Sequence, residues 1–273
     1  MSRIAAVLVT HNAEAWLGYT LDSIERQSRR PDSVVVVDDG SSDATIDILR
    51  ARGIVPLAAV TVRNDPVSRI AANFVQGVAA CAAFDLVVLG DHDDLWHAER
   101  VAHQAALLGQ RPDALMVASD GVVVDDSGAA SGGTVRDWFP VPADWDAVSP
   151  ADRMRYALRY SIATGGASMI RPAQFPSIAV PHGWLHDRWW SLVATARDGM
   201  LVDSRTVIDY RVREGQQVGL DAAAQRHGPL GRLTALASQA RRSLGKQGDL
   251  RRLLRPLAID DDVAAAVSLR NVL

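Results

Sequence analysis

The chain has 273 residues, 48% of them hydrophobic and 22% charged, the balance of a soluble globular protein, which excludes collagen-like, coiled-coil and disordered readings. Its 29 basic and 32 acidic residues leave a formal net charge of −3, which argues against general nucleic-acid binding. The single cysteine, Cys81, excludes an internal disulfide and fits a reducing compartment; its alanine-rich surroundings point to inert burial.

The chain opens with MSRIAAVLVTHN, whose short apolar run, residues 4–9, reads as a buried first strand and not as a signal peptide. Residues 13–27 carry Trp16, Leu17, Leu21 and Ile24 at helical spacing. Residues 33–37 hold four valines, the pattern of a parallel strand covered on both faces. A helix follows over 43–52 with Asp43 as its N-cap, then a strand over 55–62, a helix over 70–83 and a strand over 86–89. Four strands alternate with three helices, which predicts a parallel sheet with helices on both faces. Further on, the reading is a strand over 114–124, a turn over 125–133, a loop over 134–150, a helix over 149–160, a short strand over 165–170, a helix over 186–196, and closing strands at 201–203 and 207–210. No run approaches the roughly 20 apolar residues of a membrane span. Residues 1–220 read as one α/β domain, and 221–273 as a helical extension. Within that extension, residues 221–255 hold eight basic residues and two acidic ones.

Ligands of open α/β sheets sit beyond the carboxyl ends of the strands, and here the polar groups follow strands. Thr10-His11-Asn12 follows the first, Asp38-Asp39-Gly40-Ser41-Ser42 the second, and Asp91-His92-Asp93-Asp94 the fourth. The middle cluster has two readings: turn chemistry, or a carboxylate that accepts hydrogen bonds from a base or a ribose. In the third, three carboxylates within four residues repel one another unless a cation or donors offset them. Oxygen ligands at that spacing suit Mg²⁺ or Mn²⁺ shared with phosphates. The plainer reading is a polar loop. In either case Asp94 is expected to cap a helix starting near His97, with His92 a neighbour and not a ligand.

The segments VLVTHN, VVVVDDGSSDAT, Asn64 to Asn73-Phe74, GDHDDLWHAERV, TGGASMIRP, HDRWW and YRVREGQQVG occur in that order. Together they resemble the motifs of family 2 glycosyltransferases, over roughly residues 3–219. The Asp-X-Asp-Asp-X-Trp form with Asn-Phe upstream is similar to the rhamnosyltransferase-like branch, whose members decorate bacterial surface polysaccharides. The resemblance implies a single GT-A (Rossmann-like) domain with a mostly parallel sheet. It also implies a hexosyltransferase that uses Mn²⁺ or Mg²⁺, a dTDP-, UDP- or GDP-linked sugar donor, and a glycan or lipid-linked acceptor. Inversion at the anomeric carbon follows from the family and not from any spacing.

The same resemblance assigns roles. Thr10, Asn12 and Asn73 fall near the nucleotide, and Asp39 reads its base or ribose. Asp93 binds the metal; Asp91 holds the ribose or the metal's water shell. Asp187 is the catalytic base, with a helix N-cap as its plainer reading. Gly165 and Gly166 lie beside the transferred sugar, and His186 is a further substrate or diphosphate candidate. Of the adjacent Trp189 and Trp190, one is expected in the core and the other on a sugar. Two departures stand out. Ala71-Ala72-Asn73 lacks an arginine usual in the family, for which Arg69 is a substitute, and Arg213 stands where relatives often place histidine. Arg211 and Arg213 become diphosphate candidates, against surface ion pairing. The basic stretch 221–255 is either a solvated face or a peripheral contact with an anionic membrane surface, which would put a cytoplasmic enzyme at the inner face of the membrane. A nucleotidyltransferase would need a Gly-rich, Arg/Lys-bearing loop after the first strand, and Thr10-His11-Asn12-Ala13 is not one. A non-catalytic nucleotide-sugar-binding module is disfavoured by the presence of both metal carboxylates and a base.

Overall fold

The architecture comes from a computed structural model that describes residues 2–60, 65–175, 178–212 and 261–267. Arg213, Asn64 and the basic stretch 221–255 lie outside the described residues.

The first strand, β1 (Ile4–Thr10), is buried along its whole length. It lies between β2 (Ser33–Asp38) and β4 (Leu86–Asp91), parallel to both. Its side chains alternate between two cores, as the period of a strand requires. Ala5, Val7 and Val9 join one core with Phe74, Val78, Met154 and Trp190. Ile4, Ala6 and Leu8 join the other with Leu17, Leu21, Trp96 and Val101. The helices on the first face are α3 (Pro66–Ala80), α6 (Pro150–Arg159) and α7 (His186–Ala196); on the second they are α1 (Leu17–Glu25) and α4 (Arg100–Gln110). Helix α3 starts where its sequence says it must: Asp65 accepts from the Val67 N–H, and Pro66 occupies the first turn, where its missing N–H costs nothing. Ser149 and Pro150 repeat the device at α6.

The remaining elements are α2 (Thr45–Ala51), β3 (Leu57–Ala58), β5 (Leu95–Trp96), β6 (Met116–Val124), β7 (Ala130–Thr134), α5 (Val135–Trp138), β8 (Ser168–Ile170), β9 (Met200–Arg211) and α8 (Asp261–Ala266). The strand order is β3-β2-β1-β4-β8-β6-β9-β5, with β7 paired to β6. Strand β8 is antiparallel to both β4 and β6, and β6 is parallel to β9. Strands β1, β2, β3, β4, β6 and β9 therefore run one way, and the sheet is mostly parallel. Helix α8 packs on α6, and its Val263 and Ala266 are buried in the first core.

Several expectations are corrected. Within the described part of the expected third strand only Leu57–Ala58 joins the sheet, and the Val60 N–H is taken by the Asn73 side chain at 3.0 Å; residues 61–62 lie outside the described residues. The expected turn 125–133 contains β7, whose small residues form a strand only because β6 supplies the partner. The loop 134–150 holds α5, closed by a Thr134/Asp137 capping box. Residues 165–167 form a 3₁₀ turn before β8. The two closing strands are one, β9. Asp94 does not cap a helix: β5 follows it, and α4 begins only at Arg100. Cys81 is buried as expected, and burial pushes its thiol up to about 11. Among the described residues no helix is long and apolar enough to cross a membrane.

A titratable link holds the β5 end of the sheet. His97 Nε2 lies 2.8 Å from Asp209 Oδ1, and Nδ1 lies 3.1 Å from the Thr206 carbonyl. The hydrogen bond to Asp209 raises the His97 pKa against the opposing effect of burial. A raised folded pKa means the stabilisation is full below the unfolded value, about 6.5, and fades as pH rises through the folded value. The melting temperature of the native protein, relative to Asp209→Asn, is therefore expected to rise on going from about pH 8 to about pH 6. Parallel pH profiles for the two proteins would show that the link contributes nothing.

Candidate active site

Strand register brings the polar strand ends into one row. Thr10 pairs with Asp38, and Val9 with Asp91. Within the row the groups divide into support and surface. The Thr10 hydroxyl is buried and donates to Asp38 Oδ1 at 2.8 Å. Asp38 also accepts from the Ser41 N–H at 2.9 Å and the Ser41 hydroxyl at 2.6 Å. Asn12, at φ 47, accepts on its Oδ1 from the Ser42 N–H at 2.9 Å. Asn73 is fully buried and holds the Val60 amide. Thr10 and Asn73 thus support the first cleft wall from behind, while Asn12 is exposed. Asp39 faces the cleft, ion-paired at 2.8 Å with Arg69 Nε. The open cleft, about 520 Å³, is lined by Asp39, Gly40, Ile46, Leu57, Val60 and Arg69 among others.

The acidic loop leaves β4 at the next position along the rim. Asp91 is partly exposed; Asp93 and Asp94 are buried. Burial pushes the Asp94 carboxyl well above the ordinary carboxylate range, and the charges of Asp93 and Asp91 push the same way. Beneath the loop lies Arg100, fully buried, its guanidinium 4.0 Å over the Trp96 ring and donating to the Leu89 carbonyl at 2.6 Å. Burial pulls its pKa down to about 9, against the pull of Asp94 and Asp91. Sequence reasoning missed this counter-charge, because a buried arginine has no local signature.

Arg211, expected at the diphosphate, is committed elsewhere. Its backbone N–H donates to Asp94 Oδ1 at 3.2 Å and its Nε to the Asp93 carbonyl at 3.2 Å. Its Nη1 donates to the carbonyls of Asp125 and Asp126 at 2.9 and 2.8 Å, and its guanidinium lies 4.4 Å over Trp16. It ties the acidic loop to the β6–β7 turn.

Asp187 occupies the first turn of α7, where the helix dipole favours a carboxylate. It is not the N-cap, which is Leu185. Its Oδ2 accepts from the Gly165 N–H at 3.1 Å. The neighbouring Arg188 is partly buried, donates to the Leu158 carbonyl at 2.8 Å, and has its pKa pulled down to about 10 by desolvation, with Asp187 opposing. His186 is buried under Gly165, stacked on Phe74 at 3.7 Å. Neither of its ring nitrogens has a hydrogen-bond partner, and burial lowers its pKa to about 4, so it is neutral at physiological pH. Trp189 and Trp190 are both core residues, 5% and 0% exposed; Trp189 packs edge-on against Trp184 and Trp190 donates to the Ile178 carbonyl at 2.9 Å. Neither presents a face to a sugar.

The Gly165–Gly166 turn joins the halves. A Cβ on Gly166 would lie 2.3 Å from Asp94 Oδ2 and 3.1 Å from Asp91 Oδ2; one on Gly165 would lie 2.6 Å from His186 Nε2. The turn is thus seated on the acidic loop at one residue and hydrogen-bonded to Asp187 at the next. Among the described residues no three His, Cys, Asp or Glu side chains gather into a complete metal cage. The donor set on the loop is carboxylate oxygen, and the buried Asp94 Oδ2 has no hydrogen-bond partner. Such a set fits a hard divalent ion that keeps few protein ligands and completes its shell with phosphate oxygens and water.

A family model described as glycosyl transferase family 2 matches residues 5–143. The "PGL/p-HBAD biosynthesis glycosyltransferase" of Mycobacterium bovis and that of Mycobacterium tuberculosis are each 30% identical over 114 residues, 42% of this chain and 44% of the relative. The match therefore spans less than half the length of those curated relatives. Among solved structures, S. aureus TarS in complex with UDP aligns with a TM-score of 0.57 at 19% identity, covering 99% of this chain and 89% of that one. The glucosyl-3-phosphoglycerate synthase of M. tuberculosis, in complex with Mn²⁺, UDP-glucose and phosphoglyceric acid, aligns with a TM-score of 0.53 at 17% identity, covering 95% and 81%. At these identities the likeness establishes the fold, which is of the GT-A type.

Proposed function

The chain belongs to glycosyl transferase family 2, and from that premise we propose that it moves a sugar from a nucleoside-diphosphate donor to an acceptor hydroxyl in one inverting displacement. The observation that carries this reading is the Gly165–Gly166 turn, which sets the acidic loop and Asp187 on either side of one site. The nucleoside lies in the cleft beside Asp39 and Arg69, with the diphosphate toward Asp91 and Asp93. Asp93 and Asp91 would hold Mg²⁺ or Mn²⁺, which when bound would supply positive charge to stabilise the departing diphosphate. Arg100, buried below the loop, supplies a positive charge that couples to Asp94 and Asp91. Asp187 takes the proton from the acceptor hydroxyl, held in orientation by the Gly165 N–H. UDP is the first nucleotide to try, since the TarS and synthase structures hold UDP or a UDP-sugar; a rhamnosyltransferase-like donor would instead favour dTDP. Function in bacterial glycoconjugate or polysaccharide synthesis is supported by the mycobacterial relatives' names. Contact of 221–255 with an anionic membrane surface belongs to the same proposal; co-sedimentation with anionic vesicles checks it, and absence of pelleting removes it.

The test is thermal stabilisation by UDP, dTDP and GDP, each with and without Mn²⁺, beside Asp93→Asn. A ligand of the folded state at a hundredfold excess over its Kd adds about 2.7 kcal/mol. One nucleotide is expected to stabilise the protein in a Mn²⁺-dependent way, with the effect lost in Asp93→Asn. No stabilisation by any of the three would overturn the donor site, and an unchanged response in the variant would remove Asp93 as the metal ligand.

A further inference from the structure

Most large apolar side chains of the described residues are buried; the exposed exceptions include only three aromatics, Tyr19, Trp138 and Tyr160. One of these, Tyr160, is anchored in a stack of aromatic rings. Tyr160, 47% exposed, packs its ring against Tyr156 at 4.8 Å between centroids, and Tyr156 packs edge-on against the buried Trp145 at 6.3 Å. The Tyr156 hydroxyl donates to the Pro140 carbonyl, two residues beyond Trp138. An aromatic ladder thus climbs from the core to the surface, and its lower rungs are fixed.

The ladder's top is strapped to the candidate base. Arg188, next to Asp187, donates to the Leu158 carbonyl at 2.8 Å. Arg136 donates to the Ile162 carbonyl at 2.8 Å and to the Ala118 carbonyl at 3.1 Å. The Gly165 N–H donates to Asp187. Tyr160 lies between the first two straps and five residues before Gly165, so at most about 17 Å of extended chain separates them. The straps at 158, 162 and 165 hold that segment against α5, β6 and the start of α7.

A rigid, partly exposed aromatic face presents large amphipathic area at little entropic cost. The face of a pyranose that carries axial C–H bonds is its complement: apolar in the middle, hydroxylated at the rim. We propose that Tyr160, backed by Tyr156, is an acceptor subsite that stacks a sugar ring of the glycan whose hydroxyl is presented to Asp187. This rests on the glycosyl-transfer reading above and extends it: the acceptor is a carbohydrate held at least one ring beyond the attacking hydroxyl.

The test uses the full chain and three methyl pyranosides, of glucose, mannose and rhamnose, read by saturation-transfer difference NMR. At least one is expected to receive saturation, strongest on the protons of one ring face. Tyr160→Ala is expected to weaken that binding about five- to tenfold, the scale of one aromatic stacking contact. Tyr160→Phe should retain it, and Tyr19→Ala, on the distant helix α1, should leave it unchanged. Melting curves establish that each variant is folded. The proposal is overturned if no pyranoside binds the native protein or if Tyr160→Ala binds as well as the native chain. The nucleotide response, measured on the same samples, separates this from failure of the donor site. Loss of pyranoside binding with an unaltered nucleotide response supports the subsite. Pyranoside binding that depends on Tyr160 but comes with no nucleotide response keeps the sugar platform and removes the transfer reading.

Discussion

Asp187→Asn is expected to bind nucleotide as the native protein does and to lose transfer by about 10²–10⁴-fold, the contribution of a positioned general base. The substitution is close to isosteric. An asparagine Oδ1 can still accept from the Gly165 N–H, which Asp187 now holds at 3.1 Å, so the turn stays seated while the proton acceptor disappears. The cleft around Asp39 and Arg69, proposed for the nucleoside, does not include Asp187. The variant should also melt at a slightly lower temperature, because the partly buried Arg188 loses the carboxylate charge that opposes its desolvation. Initial rates of sugar transfer, read beside nucleotide titration and a melting curve, separate these effects. Transfer near the native rate, in a variant that binds nucleotide, would take the base role from Asp187.

Much of the fold is legible in the chain because its local signals agree with one another. The apolar run of β1 and the valines of β2 are short, fully or partly buried, and punctuated by polar residues at their carboxyl ends. Their spacing leaves only a parallel arrangement, and the parallel register then lines up Thr10, Asp38 and Asp91 without further information. What was not legible depends on partners far along the chain. Residues 130–134 are Ala, Ser, Gly, Gly and Thr, and become a strand only beside β6. An aspartate before an apolar segment looks like a cap; Asp94 is instead buried because β9 returns to place the Arg211 N–H on it. The expectation that Trp189 and Trp190 divide between the core and a sugar assumes a helix with one open face. Residues 189–196 of α7 are buried on every side, and a helix buried all round has no such face. Arg211 reads as a free cation until the β6–β7 turn closes over it. In each case the chemistry of the residue was visible, and the neighbour that decides its role was not.

Gly166→Ala should be the most damaging single-methyl change in the site. The added carbon would stand 2.3 Å from Asp94 Oδ2, 3.1 Å from Asp91 Oδ2 and 3.5 Å from Ile208 Cδ1. The contact at 2.3 Å cannot be accommodated unless something moves. Asp94 is buried, and its other oxygen is held by the Arg211 amide, so relief must come from the turn, the loop or β9. Forcing a methyl into a packed site costs about 1–3 kcal/mol, and in a chain of this size each kcal/mol lowers the Tm by about 2–4 °C. A displacement of about 1 Å at groups that position a substrate is enough for about a hundredfold loss of rate. Gly165→Ala provides the contrast. Its Cβ would meet His186 Nε2 at 2.6 Å and leave the carboxylates alone, so its effect should fall on kcat through Asp187, with nucleotide affinity kept. Because the clash is with one side chain, Gly165→Ala combined with His186→Ala should recover part of the lost stability, giving a coupling energy of about 0.5–3 kcal/mol in a double-mutant cycle. The Gly166 change has no such partner to trim without removing a carboxylate. If Gly166→Ala kept both the native Tm and the native nucleotide affinity, the turn would not be seated on the acidic loop, and the link between the two halves of the site would fail with it.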